Sequence, residues 1–170
     1  MKKAILYILG ILFLLVIGFF CIGFFAPSIE YTTTIEINKP RDLTWNVMRE
    51  RKDWVSGFKS FEQISGMPNQ VGSRAKITVV RDGREMYFDS ELLDIKPPEM
   101  AVTELTNDML THDATVHLTE NNGKTTIVSN EKITGKNAFF RSLFVLFKSS
   151  ITSVSQKSFE GLKQAVESSN

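Results

Sequence analysis

Two histidines are the side chains of this sequence best suited to transfer protons. His112 and His117 are five residues apart, and an odd offset in a β-strand places two side chains on opposite faces of the sheet. The pair therefore cannot hold one metal ion, or relay a proton between its members, from a regular strand. His112 shares its face with apolar residues, so we expect it at the core or at a cavity rim, with ligand contact or proton transfer as the alternative. His117 shares its face with threonines, and we expect it in solvent.

A second set of polar candidates lies in the segment TTIVSNEKI. Ser129 and Glu131 share a face with Ile127, so an inward Ile127 would carry both into an apolar interior. A carboxyl group buried there would have a raised pKa and could act as an acid or orient a ligand hydroxyl. A one-residue bulge would instead turn Glu131 towards water, and the bulge is the interpretation that we favour at this point.

Ser90 is a further candidate, because it lies between two large apolar residues, Phe88 and Leu92. The sequence lacks the groupings that mark common enzymes: a Ser-His-Asp set at a strained turn, a glycine-rich phosphate loop and a cluster of metal ligands. Its one cysteine, Cys21, lies inside an apolar run, which excludes disulfides and cysteine metal sites. We therefore expect no metal and no cofactor, and an enzymatic role is less favoured than a binding role.

An apolar run opens the chain. Residues 4–26 carry no charge and are numerous enough to cross a hydrocarbon core of about 30 Å as a helix. A cleaved signal peptide would have a shorter apolar region and a cleavage site of small residues, whereas this run ends in FFAP. We predict an uncleaved membrane anchor over residues 1–27, embedded through residues 4–26, and one domain over residues 28–170. Lys2 and Lys3 favour a cytoplasmic N-terminus and thus an extracytoplasmic domain.

The rest of the chain is nearly balanced in charge. With Lys2 and Lys3 set apart, 18 basic residues stand against 19 acidic ones. Proteins that bind nucleic acid present a clear excess of basic residues. We therefore expect no nucleic-acid partner.

Alternating patterns dominate the domain. Residues 29–37 alternate β-branched or aromatic side chains with polar ones, which predicts a half-buried strand. The segment NKPRDLTWNVMRERKDW changes to a helical period, and the broken pattern around Gly57 predicts a second short helix or a turn. Strands then return, joined by tight turns such as Asp82-Gly83. They are predicted at 61–65, 71–81, 84–95, 99–106, 111–120 and 125–134.

The last segment repeats apolar residues at spacings of three or four. Residues 137–168 therefore predict one long helix that covers the sheet. Its first turns, NAFFRSLFVLFKSS, are too short for a membrane span and are interrupted by Arg141. We expect Phe140, Phe144 and Phe147 to face the sheet and to line one end of a cavity.

That orientation leaves other apolar side chains of the same turns pointing outwards. Between Lys132 and Lys148 every charged residue is basic. Outward apolar groups beside basic ones suggest contact with an anionic bilayer surface, and packing under a neighbouring loop is the alternative. The outward residues are Phe139, Leu146 and, less clearly, Val145.

The order of elements predicts an α+β domain with an antiparallel sheet and one long covering helix. Together with the segments INKPRDLTWNVMRERKDWVSGF, ISGMPNQVGSRAKI, DIKPPEMAVTEL and NNGKTTIVSNEKITG and the ending GLKQAVE, it resembles the START-like (SRPBCC) superfamily, in particular its polyketide cyclase/dehydrase-like branch. The resemblance covers about residues 29–168. It implies the helix-grip fold: a curved seven-stranded antiparallel sheet wrapped around the C-terminal helix, with two short helices after the first strand and an apolar cavity between sheet and helix.

The resemblance does not choose among functions, because the superfamily includes lipid carriers, hormone receptors and cyclases. We expect a membrane-anchored binding domain whose cavity holds a lipid or another hydrophobic small molecule. The alternatives are a cyclase- or dehydrase-type enzyme acting on a hydrophobic substrate, and a ligand-free interaction module of the cell envelope. The residues expected at the cavity are Phe88, Ser90, His112, Ser129, Glu131, Phe140, Phe144 and Phe147.

Overall fold

A computed structural model describes residues 2–50 and 53–169 of the 170-residue chain. These residues form an N-terminal helix, a seven-stranded sheet and further helices on one side of that sheet. The helices are α1 (Lys2–Phe25), α2 (Arg41–Glu50), α3 (Ala138–Leu146) and α4 (Lys148–Glu167), and the strands are β1 (Ser28–Ile37), β2 (Phe58–Ser65), β3 (Arg74–Arg81), β4 (Arg84–Lys96), β5 (Met100–Thr106), β6 (Leu110–Asn121) and β7 (Lys124–Gly135).

The sheet is antiparallel throughout, with the strand order β1-β7-β6-β5-β4-β3-β2. Strands β2 to β7 follow one another as hairpins, and β1 pairs with β7 at one edge. The turn residues Asp82 and Gly83 both have positive φ, and so do Asn122 and Gly123, as two-residue hairpin turns require. The predicted seven-stranded helix-grip architecture is therefore confirmed, with strand ends shifted by a few residues.

The region after β1 contains one helix, α2, where the resemblance implied two short helices. The described residues around Gly57 form a turn that leads into β2, which is one of the two outcomes that the broken pattern predicted. Gly57 explains the turn: its φ is +75°, and a Cβ there would lie 2.4 Å from the carbonyl oxygen of Val80. A left-handed residue pressed against the neighbouring strand is incompatible with a helix. Residues 51 and 52, which the prediction also included, lie outside the described part of the chain.

The predicted final helix is two helices. Asn137 caps the start of α3 by accepting a hydrogen bond from the backbone N–H of Phe140. At Phe147 the backbone leaves the helical region, with φ −103° and ψ 18°, and α4 begins at the next residue. The break lets α3 pack against α1 while α4 packs over β1. The apolar spacing continues across this break, so the spacing alone predicts one helix.

Apolar side chains on the inner face of the sheet, the face towards α4, form two clusters. The distal core, which includes Trp45, Leu118 and Leu162, packs beneath α2 and the second half of α4. The proximal cluster lies near the end of α1. It consists of Ile29, Leu110 and Ile133, with Tyr31, Phe88, Phe144, Val145 and Ile151 packed against them.

Candidate functional site

The candidate site lies between the two apolar clusters, on the inner faces of β1, β6 and β7. Glu131 of β7 stands opposite Tyr31 of β1 on one side and Ala114 of β6 on the other. Both pairings run without a register shift past this point. The bulge expected from the sequence is therefore wrong: Glu131 points inwards and is 7% exposed.

Four side chains donate hydrogen bonds to the Glu131 carboxylate. On Oε2, the hydroxyl of Tyr31 lies at 2.9 Å and Nε2 of His112 at 3.0 Å. On Oε1, the hydroxyl of Ser129 lies at 3.2 Å, and Ser155 of α4 contributes a second, short hydrogen bond. A carboxylate accepts about four hydrogen bonds in all. We call these five residues the Glu131 cluster, and the carboxylate at its centre is fully satisfied.

The charge state of Glu131 follows from these contacts. Burial acts to raise the pKa of the carboxyl group, but hydrogen bonds from His112 and Ser155, the nearby charge of His112 and the hydrogen bond from Tyr31 outweigh burial, and the pKa is lowered. The raised pKa expected from the sequence is therefore wrong. Glu131 is ionised at neutral pH and cannot act as a general acid there. Burial, followed by the charge of Glu131 and the hydrogen bond to it, raises the pKa of Tyr31 far above its usual range, so its phenol remains a donor.

His112 is the member of the cluster that can reach a ligand. Its side chain is 20% exposed, against 5% for Glu131. Because an ionised carboxylate only accepts, Nε2 of His112 carries the hydrogen of their contact. Within the described residues Nδ1 has no hydrogen-bond partner. A neutral ring held in this way presents Nδ1 as an acceptor or a base, and a charged ring presents it as a donor.

The other polar residues considered from the sequence lie on different faces of the sheet. Ser90 lies on the inner face, opposite Leu105, which in turn stands opposite His112. It is half-buried and makes no side-chain hydrogen bond within the described residues. His117, on the outer face, is exposed as predicted. His112, Ser129 and Glu131 thus share one network, and Ser90 shares their face two strands away.

Three of the four aromatic candidates pack near the proximal cluster, and the fourth is exposed. Phe88 and Phe144 pack against the proximal cluster, and Phe140 stacks on Phe144 with ring centroids 6.2 Å apart. Phe147 was expected at the cavity, but it is 54% exposed, because α3 ends there and its side chain leaves the apolar stripe. Val145, expected less clearly to point outwards, packs against the proximal cluster and also lines the open surface groove at the α3–α4 junction.

Sequence reasoning missed Tyr31 and Ser155 as parts of the site. Tyr31 follows the same alternation as the buried Ile29 and Ile35. The sequence therefore predicts that it faces inwards, but not that it pairs with Glu131. Ser155 interrupts the apolar stripe of α4. A hydroxyl at an inward helical position is a signal that a polar group lies opposite, since buried polar groups are paired.

Part of the inner face beyond the cluster is accessible within the described residues. Helix α4 packs over β1, and its second half packs over the distal core, which includes Leu92, Ala101 and Leu118, but other inner-face residues of β2, β4 and β5 keep accessible side chains. Phe61 of β2, on this face, is 42% exposed. Four further inner-face residues are half-buried: Phe88, Ser90, Thr103 and Leu105.

Two open concavities lie elsewhere on the surface. One, of about 710 Å³, lies along the α3–α4 junction, and one of about 360 Å³ lies over β1, β6 and β7. Neither is an enclosed chamber between sheet and helix. Among residues 2–50 and 53–169, no group of three or more His, Cys, Asp or Glu side chains is placed to hold a metal ion.

No protein-family model matches the chain, and no curated protein sequence matches it. Solved structures match its fold. Ara h 8.0201 superposes with a TM-score of 0.68 at 16% identity, covering 84% of this chain and 99% of that chain. The Zhui aromatase/cyclase from Streptomyces sp. R1128 gives 0.68 at 13% identity, covering 82% of this chain and 94% of that chain. Norcoclaurine synthase from Thalictrum flavum gives 0.63 at 14% identity, covering 84% and 88%. At these identities the likeness establishes the fold, and function must be argued from the site.

Proposed function

We propose that this protein is a membrane-anchored binding domain for an amphipathic hydrophobic small molecule, such as a lipid, that lies along the inner face of the sheet. The observation that carries the proposal is the accessible part of this face, where half-buried apolar side chains share the sheet surface with His112, whose Nδ1 has no hydrogen-bond partner within the described residues. Ligand sites commonly combine an apolar lining with a few convergent polar groups.

The two parts of this surface would recognise two parts of a ligand. Phe88 and Leu105, half-buried on the inner faces of β4 and β5, offer apolar contact, and burial of apolar surface contributes roughly 25 cal/mol per Å². His112 offers one hydrogen bond, worth about 0.5–1.5 kcal/mol net. The proposed ligand therefore has a long apolar body and one hydroxyl, carbonyl or carboxyl group. The hydrogen bond fixes orientation, and the apolar body supplies most of the affinity.

An acid–base enzyme of the cyclase or dehydrase type is the second candidate. One observation favours it: the Glu131 carboxylate orients His112 and leaves Nδ1 free, as a general base requires. The Zhui aromatase/cyclase and norcoclaurine synthase, both enzymes by name, share the fold. The two candidates differ in what His112 does, since an enzyme loses turnover without it while a binding protein loses only part of its affinity.

Membrane attachment is the second part of the proposal. Helix α1 is long and apolar enough to cross a membrane, over Lys3–Phe25. We assign it as an uncleaved anchor that keeps the domain at the bilayer. The charges of Lys2 and Lys3 favour a cytoplasmic N-terminus, which would place the domain outside the cytoplasm.

Native mass spectrometry of the full chain, released gently from detergent micelles, tests the proposal. A co-purified lipid or metabolite, displaced by related compounds, is the expected result. His112→Gln should weaken binding by about tenfold, corresponding to one lost hydrogen bond. His117→Gln, on the outer face of the same strand, is the matched control and should bind normally.

Two outcomes would count against this function. Absence of any bound compound, together with no binding across a panel of lipids and quinones, would favour a ligand-free module. Turnover of a bound compound that disappears in His112→Gln would favour the enzyme.

A further inference from the structure

Helix α1 is joined to α3 by an unusually close contact. The hydroxyl of Ser142 accepts a hydrogen bond from the backbone N–H of Gly23 at 2.9 Å and donates a short one to the backbone carbonyl of Phe19. These two backbone groups are i and i−4 partners in an α-helix, so the hydroxyl bridges the backbone ladder of α1. A Cβ on Gly23 would lie 2.1 Å from the carbonyl oxygen of Ala138. Only glycine permits this approach.

An aromatic contact extends the same interface. The rings of Phe19 and Phe139 lie 5.6 Å apart, centroid to centroid. Ser142 is fully buried although it is polar. Contacts through small residues and a buried hydroxyl are typical of helices that pack within or beside a membrane. The contact fixes α3 at the end of the apolar helix.

The outer side of α3 is apolar and uncovered. Phe139, Leu146 and Phe147 are 48%, 55% and 54% exposed. The groove of about 710 Å³ at the α3–α4 junction continues this surface. Since α3 packs against the last turns of α1, the exposed surface is continuous with that of a helix able to span a membrane.

The charged residues in the segment that contains α3 are of one sign. From Lys132 to Lys157 the chain contains five basic residues and no acidic one. Lys148, at the junction of α3 and α4, is exposed and lines the groove. Exposed apolar side chains with basic residues in the same segment are the pattern of helices that lie in an anionic bilayer surface.

We propose that α3 lies in the headgroup region of an anionic bilayer, held there by its contact with α1, with its exposed apolar side chains in the acyl boundary and Lys148 at the headgroups. The inference rests on the proposed anchoring by α1 and adds an orientation to it. Because Phe144 of α3 also packs against the proximal cluster, the proximal end of the inner face then faces the membrane. A lipid-like ligand would reach the sheet from the bilayer.

Depth measurements on the full chain test this orientation. Cys21→Ser removes the single cysteine, and a nitroxide is then attached at Leu146→Cys in nanodiscs of phosphatidylcholine and phosphatidylglycerol. The label should be accessible to oxygen and shielded from a water-soluble nickel complex. A label at Ser168→Cys, beyond the far end of α4 and about 30 Å from Lys148 by helix rise, should show the reverse. Nanodiscs of phosphatidylcholine alone should shield Leu146 less.

A matched pair of glycine variants tests the role of the contact between α1 and α3. Gly23→Leu should expose the Leu146 label to the nickel complex, because its side chain cannot fit against Ala138. Gly18→Leu adds the same side chain to α1 where a Cβ meets nothing within 4 Å, and it should leave the label shielded. If both variants had an equal effect, the contact between α1 and α3 would not be what holds α3 at the bilayer.

A label on the native Cys21 separates this inference from the anchoring that it assumes. If Cys21 is shielded from nickel while Leu146 is not, the orientation is wrong and the anchor stands. If both are accessible to nickel, the anchoring itself is overturned. Equal shielding of Leu146 in neutral and anionic nanodiscs would overturn the part assigned to headgroup charge.

Discussion

Glu131 stabilises the arrangement of the residues around it and is not itself placed to contact a ligand. Its four acceptor positions are filled by side chains from β1, β6, β7 and α4. A buried charge without partners would cost several kcal/mol, so each donor matters to stability. Glu131 therefore acts through His112, because its carboxylate orients the imidazole ring and sets its tautomer. In this respect the cluster resembles the orienting part of an acid–base site, whether or not a reaction occurs.

Glu131→Gln tests this role through pH dependence. The amide keeps the shape but places an NH₂ group against donors, and we expect a loss of about 1–3 kcal/mol in the free energy of unfolding at neutral pH. The folded-state pKa of Glu131 is lowered, so its contribution is complete above the unfolded-state pKa of about 4.3 and is lost as pH falls through the folded-state value. The difference between the proteins should therefore shrink in acid. Denaturant unfolding of the full chain in micelles, followed from neutral to acid pH, measures it.

The control for that experiment is Glu30→Gln. Glu30 lies on the outer face of β1, its side chain is 71% exposed, and within the described residues its one ion pair is a long contact with Lys132. Exposed pairs contribute about 0–1 kcal/mol. If Glu30→Gln and Glu131→Gln had the same pH profile, the assignment of a charged, buried Glu131 would be wrong.

The sequence predicted the inward position of His112, but neither the favoured orientation nor the ionisation of Glu131. Alternation in β7 allowed an inward Glu131 beside Ser129, yet we favoured a bulge that would turn it outwards, and the regular pairing of β6 with β7 makes the bulge wrong. The pKa of Glu131 depends on donors 100 residues away in Tyr31 and 24 residues away in Ser155. Such long-range pairing leaves no local pattern, so burial alone gave the wrong direction.

At the level of elements, α4 is held by close backbone contact as well as by apolar packing. A Cβ on Gly161 would lie 2.9 Å from the carbonyl oxygen of Trp54, in the connection between α2 and β2. Nearby, the hydroxyl of Ser158 accepts a hydrogen bond from the backbone N–H of Ser56 at 3.0 Å. The ring of Phe159 packs on that of Trp54. These contacts press the second half of α4 against the connection.

Gly161→Ala distinguishes this contact from helix propensity. In an isolated helix the change would stabilise by about 1 kcal/mol. Here we expect a lower unfolding temperature, because the methyl group meets a backbone carbonyl that cannot move aside without shifting the connection. Gln164→Ala, at an exposed position of the same helix, should change stability by no more than about 0.5 kcal/mol. A stabilised Gly161→Ala protein would show that the contact is loose.

The elements that local patterns predicted well are those determined by alternation. All seven strands were found because β-branched alternation and turn residues are local signals. The break at Phe147 was missed because its cause is tertiary: α3 turns to meet α1, and the residues on both sides remain apolar at helical spacing. The broken pattern around Gly57 left a helix and a turn open, and its contact with β3 explains why the turn forms.

At the level of the whole molecule, the side of the membrane on which the domain lies is open to direct measurement. In a Cys21→Ser background, Ser168→Cys places one exposed thiol near the C-terminus. We expect a membrane-impermeant maleimide to label Ser168→Cys in intact cells whose outer surface is accessible, rather than only after lysis. The charges of Lys2 and Lys3 give the reason. The opposite labelling pattern would place the domain in the cytoplasm.

The bridge between Ser142 and α1 has a kinetic consequence for the proposed function. Strand β1 begins at Ser28, directly after α1 ends at Phe25, and Ser142 ties α3 to the same end of the helix. Two attachments, rather than one flexible tether, keep the domain from swivelling about the chain. A ligand dissolved in the same leaflet would meet a binding face held at constant height, so encounter becomes diffusion in two dimensions. The local concentration would then be set by the lipid composition of that leaflet, and exchange with a separate vesicle would be limited by release of the ligand into water.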